Sequence, residues 1–421
     1  MTCWMNELEQ PVKDRINALA ARNARFVVLL SGHDPFMGQT SDLDACFVHL
    51  IMQRHKLKSC AKIKLVFSPA SYYPLDQQAY ARHFRSYYDE HFSIRPVYMD
   101  LQPLYELRLL RQVAGVLERC ESAGDTLGLA GELALLCFSY SLDAHTRAAA
   151  VLGPTAREIE RYVMGNLANI PLYRQIRDNI LLPMLQTGKQ DVASMHRFIR
   201  ETEKSTRRQA NRRFDSHKRL LGSAHGFYGG GGRPGSLLYA YDYPLSGGSY
   251  WNLIHRAFER GMVLLGYSAH ALLFSAYSSR RVRYTGETRC SAFRDRLAAR
   301  HVRVIPRKRD YLLIQPMKGL VPFGLIVHFE RFAGQQRQWE LRYLEETLAQ
   351  DVFALRNNCA MICVPKQNQQ VDILGLISRN APNGGDRVNE IRYFDFDTGE
   401  PRTIGHNVLK SFGPNEPLPG T

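Results

Sequence analysis

The chain has no apolar run approaching the roughly 20 residues that a bilayer-spanning helix requires. Its longest apolar stretches, such as residues 127–140, are interrupted by Gly and Glu. Its opening, Met1-Thr-Cys-Trp-Met-Asn-Glu-Leu-Glu-Gln10, lacks the basic and apolar regions of a secretory signal. Cysteine is sparse and unpatterned: the eight residues, at 3, 46, 60, 120, 137, 290, 359 and 363, fall mostly inside apolar segments. That usage excludes a disulfide framework and fits buried thiols in a reducing compartment. Only Cys359 and Cys363 lie close together, and no second Cys pair or His at ligand spacing accompanies them, which argues against zinc. No internal repeat and no low-complexity core is present. These absences predict a cytoplasmic protein with no membrane partner.

Apolar residues make up 45% of the chain and charged residues 23%, a globular balance that excludes collagenous, coiled-coil and wholly disordered chains. A length of 421 residues exceeds one ordinary core and suits two or three domains. What stands out is positive charge, and it is concentrated. The formal net charge is +15; residues 197–219 hold nine Lys/Arg against three acids, and residues 280–309 hold eleven against two. The two windows therefore carry the whole excess. Arg outnumbers Lys in both, and its planar fork can hold phosphate in a bidentate way. Clustered Arg of this kind is the footprint of nucleic acid. The expected backbone contacts are Arg207, Arg208, Arg212 and Arg213 in the first window, and Arg280, Arg281 and Arg283 in the second.

Residues 1–23 predict an amphipathic helix, with Val12, Ile16 and Leu19 at helical spacing. Phe26–Ser31 reads as a buried parallel strand. A loop follows, and Ser41 or Asp42 then caps a helix reaching about Lys56. Strands at Ile63–Phe67 and Arg95–Asp100 flank a Tyr-rich helix at Leu75–His91. Helices follow to about Leu221. The order predicts an α/β fold: a Rossmann-like N-terminal domain at 1–125 and a basic helical region at 126–225. A Gly-rich linker spanning Gly226–Gly235 then leads to a smaller basic α+β domain at 236–412. In that last domain helices are expected at Tyr250–Arg260 and Glu340–Asn357, and a hairpin around residues 390–404.

Ligands of such sheets sit beyond the carboxyl ends of the strands. Ser31, Gly32, His33, Asp34, Gly38, Thr40 and Ser41 follow the first strand, and Ser68 follows the second, so these form the expected phosphate site for ATP or another nucleotide. Val27–Asp34 resembles the start of PP-loop ATP pyrophosphatases, but His33 replaces a Gly and Pro35 a Ser, so that activity is not carried over. The Gly32–Pro35 turn is also similar to one in Rossmann-like sensor domains for cyclic oligonucleotides. An overlapping stretch, Gly38–Asp44, resembles the Asp-x-Asp motif of polymerase-β-type nucleotidyltransferases. That resemblance implies Asp42, Asp44 and Asp100 as a carboxylate set holding Mg²⁺, and it requires Asp42–Leu50 to be a strand. Arg212-x4-His217 has the spacing found in HEPN-type ribonucleases. Gly248-Ser-Tyr-Trp251 is similar to the nucleophile motif of papain-like proteases, with Tyr250 in place of Cys. The sequence therefore predicts a nucleotide-binding protein that engages nucleic acid, as an ATP-using enzyme or a ligand-gated sensor. The alternatives are a nucleotidyltransferase, or a non-catalytic protein with a basic docking face.

Overall fold

The computed structural model describes residues 8–30, 41–69, 74–123, 133, 171–187, 191–232, 234–283, 303–306, 310–327, 351–356, 358–378, 391–395 and 400–413. They form a mixed α/β protein with two mixed sheets.

The first sheet has eight strands: β1 (Val27–Leu30), β2 (Leu65–Ser68), β3 (Val97–Tyr98), β4 (Gly226–Gly229), β5 (Val263–Tyr267), β11 (Cys359–Pro365), β12 (Val371–Ile377) and β15 (Leu409–Phe412). Their order is β15-β12-β11-β1-β5-β4-β2-β3. From β1 to β3 all neighbours are parallel, with Val28 opposite Leu265 and Phe227 opposite Leu264. From β1 outward through β11, β12 and β15 they are antiparallel.

Side chains alternate across a strand, and in β1 the alternation assigns each residue to a core. Val27 and Leu29 join one core, with Val66, Phe227 and Leu264; Val28 and Leu30 join the other, with Leu65, Phe67 and Leu265. Both faces are thus covered, which explains the unbroken apolar runs of the parallel strands. Helices α1 (Gln10–Arg22), α2 (Ser41–Arg54) and α3 (Pro74–Phe92) cover the second face. The first face is covered by α4 (Gln102–Ala123), by α5 (Pro171–Ile176) and α6 (Leu182–Thr187) on either side of a π-turn, and by α7 (Val192–Gly222), α8 (Pro234–Asp242), α9 (Tyr250–Glu259) and α10 (Ala269–Phe274).

The second sheet, in order β14-β13-β10-β9-β6-β8-β7, comprises β6 (Tyr277–Arg283), β7 (Arg303–Pro306), β8 (Asp310–Pro316), β9 (Gly324–Ile326), β10 (Val352–Ala354), β13 (Ile391–Asp395) and β14 (Glu400–Ile404). Phe412 of β15 packs edge-on against Phe353 and Tyr393, at ring separations of 5.0 and 5.1 Å, and so joins the two sheets.

Two expectations need correction. The Gly-rich run is not a linker at its start: Gly226–Gly229 is a central strand, and the sheet continues across it into β5, β11, β12 and β15. A side chain at Gly226 would run into Ile51, and one at Gly229 into the His270 ring, so close packing rather than flexibility selects glycine here. The helix expected at Glu340–Asn357 falls mostly outside the described residues, and where it is described, Val352–Ala354 is strand β10. The hairpin is found as β13 and β14, with Asp395 opposite Glu400.

Candidate active site

The parallel strands end at one edge, and the chemistry gathers there. Strand β5 runs directly into α10 through Ser268, whose backbone sits at φ 51°, ψ −105°. A residue with a Cβ pays for that conformation in steric strain, which persists only where the surroundings impose it. The surroundings do so here. The Ser268 N–H donates to Leu30 O at 2.9 Å, and the Ser268 carbonyl accepts from Leu272 N–H at 3.1 Å. Two residues earlier, a Cβ on Gly266 would lie 2.8 Å from Ala271 N and from the His270 carbonyl, so only glycine lets the helix fold back this tightly on the strand. Ser268 itself is partly exposed.

Beneath this turn lies a buried polar chain. Tyr241 Oη of α8 is 3.0 Å from Ser68 Oγ at the end of β2 and 2.7 Å from His270 Nε2 of α10. His270 Nδ1 faces the carbonyl of Gly230, just past β4. The Gly230 carbonyl can only accept, so Nδ1 carries the ring proton. Burial lowers the His270 pKa to about 3, which leaves the ring neutral and makes Nε2 an acceptor. Tyr241 then donates to Nε2, and Ser68 turns its hydroxyl proton toward Tyr241. The chain joins the ends of β2 and β4 to α8 and α10, and it uses both His270 nitrogens.

The expected site residues divide as follows. Ser31, Gly32, His33, Asp34, Gly38 and Thr40 lie outside the described residues; Ser41 is the first residue of α2. Ser68 is at the predicted sheet edge but is fully buried and engaged by Tyr241, so it does not open onto a phosphate site. The carboxylate set does not assemble. Asp42 and Asp44 are on helix α2, where residues two apart point in divergent directions. Asp42 accepts from Ser378 Oγ at 2.7 Å, tying α2 to the antiparallel half of the sheet. Asp44 is fully buried, accepting from Tyr88 Oη at 2.9 Å and Tyr87 Oη at 3.1 Å, and burial pushes its carboxyl up to about 7. Asp100 forms an ion pair with Arg213. The nucleotidyltransferase geometry is therefore absent, and among the described residues no group of three or more His, Cys, Asp or Glu is placed to hold a metal.

Arg213, expected on nucleic acid, is thus turned toward Asp100, and Arg207 pairs with Glu203 at 3.0 Å. Arg208 and Arg212 are exposed on α7. Arg280, Arg281 and Arg283 belong to β6. The Arg212/His217 pairing dissolves: His217 is buried and meets Tyr250 Oη at 2.8 Å, while Arg212 faces solvent. Ser249 is the N-cap of α9, accepting from Asn252 N–H, and not part of a nucleophile motif. Among the described residues no helix is long and apolar enough to cross a membrane.

Sequence reasoning missed Ser268. The signal was available: an apolar strand, Val263-Leu-Leu, runs into Gly266-Tyr-Ser268-Ala-His270 at a helix start. A strand-turn-helix serine of this kind is usually bracketed by a second Gly two residues later. His270 occupies that position and hides the pattern.

No protein-family model matches the chain, and no curated protein matches it. Among solved structures, the chain is similar to a peptidase from an acI-B1 Actinobacterium, at 10% identity and a TM-score of 0.43, over 93% of this chain and 98% of that one.

Proposed function

We propose that the protein is a serine hydrolase of the acyl-transfer class, with Ser268 as nucleophile. One observation carries the reading: the strained backbone at Ser268, held between a parallel strand and a helix by the close approach at Gly266. In strand-turn-helix turns of this kind the serine hydroxyl stands clear of the sheet edge and the next backbone N–H, here that of Ala269, serves the carbonyl under attack. The glycines at 230–232 leave the adjacent strand β4, so a second N–H can approach without side-chain obstruction. The all-parallel run from β1 to β3 supports a Rossmann-like description of this half of the sheet, in which the carboxyl edge is where ligands bind.

In this reading Ser268 Oγ bonds to the acyl carbon as its proton passes to a base. The same proton then goes to the leaving amine or alcohol as the scissile bond breaks, and water releases the acyl group. His270 is not the base, because both its nitrogens are engaged within the core. His33, three residues after β1 in the sequence, is the candidate to test.

A fluorophosphonate probe followed by peptide mapping tests the assignment. Labelling of Ser268, lost in Ser268→Ala and slowed in His33→Ala, is the expected result. A folded protein that takes no label, or is labelled elsewhere, overturns it.

A further inference from the structure

The solvent face of α7 carries a row of exposed cations. Arg197, Arg200, Lys204, Arg208, Arg212, Lys218 and Arg219 are all exposed. None of them has an ion pair among the described residues. The cations that do pair lie on the flanks of the helix: Arg207 with Glu203, Arg111 of α4 with the same Glu203, and Arg213 with Asp100. Glu201 and Asp215 are the acids exposed along the same length.

The spacing of the exposed cations is ordered. Arg200, Lys204, Arg208 and Arg212 follow one another at four-residue steps, so they form one ridge that drifts by only about 40° per step and rises about 6 Å per step. Like charges at that spacing disfavour a helix. Three such contacts in succession, with no ion pair to an acid among the described residues, are a repulsion that an external polyanion would relieve. From Arg197 to Arg219 the ridge extends about 33 Å, close to one turn of a nucleic-acid duplex.

We propose that this face of α7 docks the phosphate backbone of a double-stranded nucleic acid, without reading its sequence. Charge complementarity selects a polyanion, and the dominance of Arg suits phosphate. None of the fully exposed residues of the ridge is aromatic, and Phe198 is partly buried against the core: the other exposed members are Glu201, Ser205, Asp215 and Ser216. Single-strand binders stack unpaired bases on aromatic rings, so the face fits a duplex backbone rather than an open strand. This surface is independent of the Ser268 reading and stands or falls separately.

The test is a salt series of fluorescence-anisotropy titrations of the full chain, stripped of nucleic acid at high salt, with labelled 20-base-pair duplexes and the matching single strand. Each neutralised phosphate contributes about 0.9 to the slope of log K against log salt. The native chain should bind duplex with a slope of about −4 or steeper. The variant Arg200→Glu, Lys204→Glu, Arg208→Glu and Arg212→Glu should lose roughly 3–4 from that slope. All four side chains point to solvent, so circular dichroism should be unchanged. A control of equal charge change, Lys56→Glu, Lys58→Glu, Lys62→Glu and Lys64→Glu, alters exposed lysines distant in sequence from α7 and should keep most of the binding. The proposal is overturned by absence of duplex binding in the native chain, by equal losses in the two variants, by preference for the single strand, or by anionic vesicles competing the duplex away.

Discussion

Replacing Asp44 with Asn should leave the protein folded and make it more stable at alkaline pH. The carboxyl is enclosed between Tyr87 and Tyr88, and burial raises it from the ordinary 3.8 to about 7. Between those values the native state binds a proton that the unfolded chain has released, so stability falls as pH rises through the window. Integrated over it, the penalty is about 4 kcal/mol once the pH exceeds 7. Asn reproduces the protonated pattern: Oδ1 accepts from Tyr88 while Nδ2 donates to Tyr87, and no ionisation follows. Urea denaturation at pH 5 and pH 8, read by tryptophan fluorescence, measures the difference. The variant should gain on the native protein by roughly 2–3 kcal/mol between the two conditions. Subtracting one protein from the other removes the contribution of every other titrating group. A gain that is the same at both pH values would show that Asp44 is solvated or paired, and the reasoning would fail. Fluorophosphonate labelling of the variant should be undiminished, because Asp44 serves packing and not chemistry.

The acid limb of the stability curve runs the opposite way. Burial lowers His55 and His217 to about 4 and His270 to about 3. The unfolded chain therefore binds more protons than the native one below about pH 6.5, and stability should rise with pH up to that point. Calorimetry of Asp44→Asn, where one of the two opposing buried carboxyls is gone and only Glu106 remains among the described residues, should show Tm increasing from pH 4.5 to 6.5; a flat profile contradicts neutral histidine burial. Gly266→Ala should cost at least 1–3 kcal/mol, since the new methyl meets helix backbone that cannot rotate away, and should abolish labelling of Ser268. Unchanged stability in a denaturant titration would show that the turn is not close-packed. Tyr241→Phe removes the hydroxyl between Ser68 and His270, and should destabilise the protein by about 1–3 kcal/mol by orphaning buried polar atoms. A loss well under 1 kcal/mol would mean that the three groups are not one chain.

The parallel strands were legible because their burial on both faces leaves an unbroken signature: Val27–Leu30 and Leu65–Ser68 are apolar throughout or nearly so. The helix carrying Asp42 and Asp44 was legible too, since Leu43, Phe47 and Leu50 recur at helical spacing. A local motif resemblance competed with that periodicity and required a strand. Gly226–Gly229 defeated the reading for another reason. Composition reports what a residue permits, whereas these glycines answer to Ile51 and His270, some 175 and 40 residues away. Ser268 was obscured because His270 stands where a small residue is usual, and its role emerges only when Tyr241 and Gly230 are brought beside it. The first charge window falls on α7. Which arginines face outward depended on the register of α7, and that is set by Ile199, Thr206, Ala210 and Phe214 turning inward.

The position of β1 has a consequence for biosynthesis. This strand, from the first thirty residues, sits between β5 and β11, whose register partners for Val28 are Leu265 and Ile362. Neither neighbour exists when β1 leaves the ribosome. At about 5–20 residues per second, the wait for β5 is roughly 10–50 s, and for β11 longer still. Throughout that interval a four-residue apolar strand has both hydrogen-bonding edges unfilled, although helices that cover its faces, from α1 onward, are already to hand. Pairing so remote in sequence also makes for slow closure once the chain is complete. The nascent protein should therefore depend on holding chaperones, and fragments ending before residue 263 should aggregate rather than fold, however regular their strand and helix pattern.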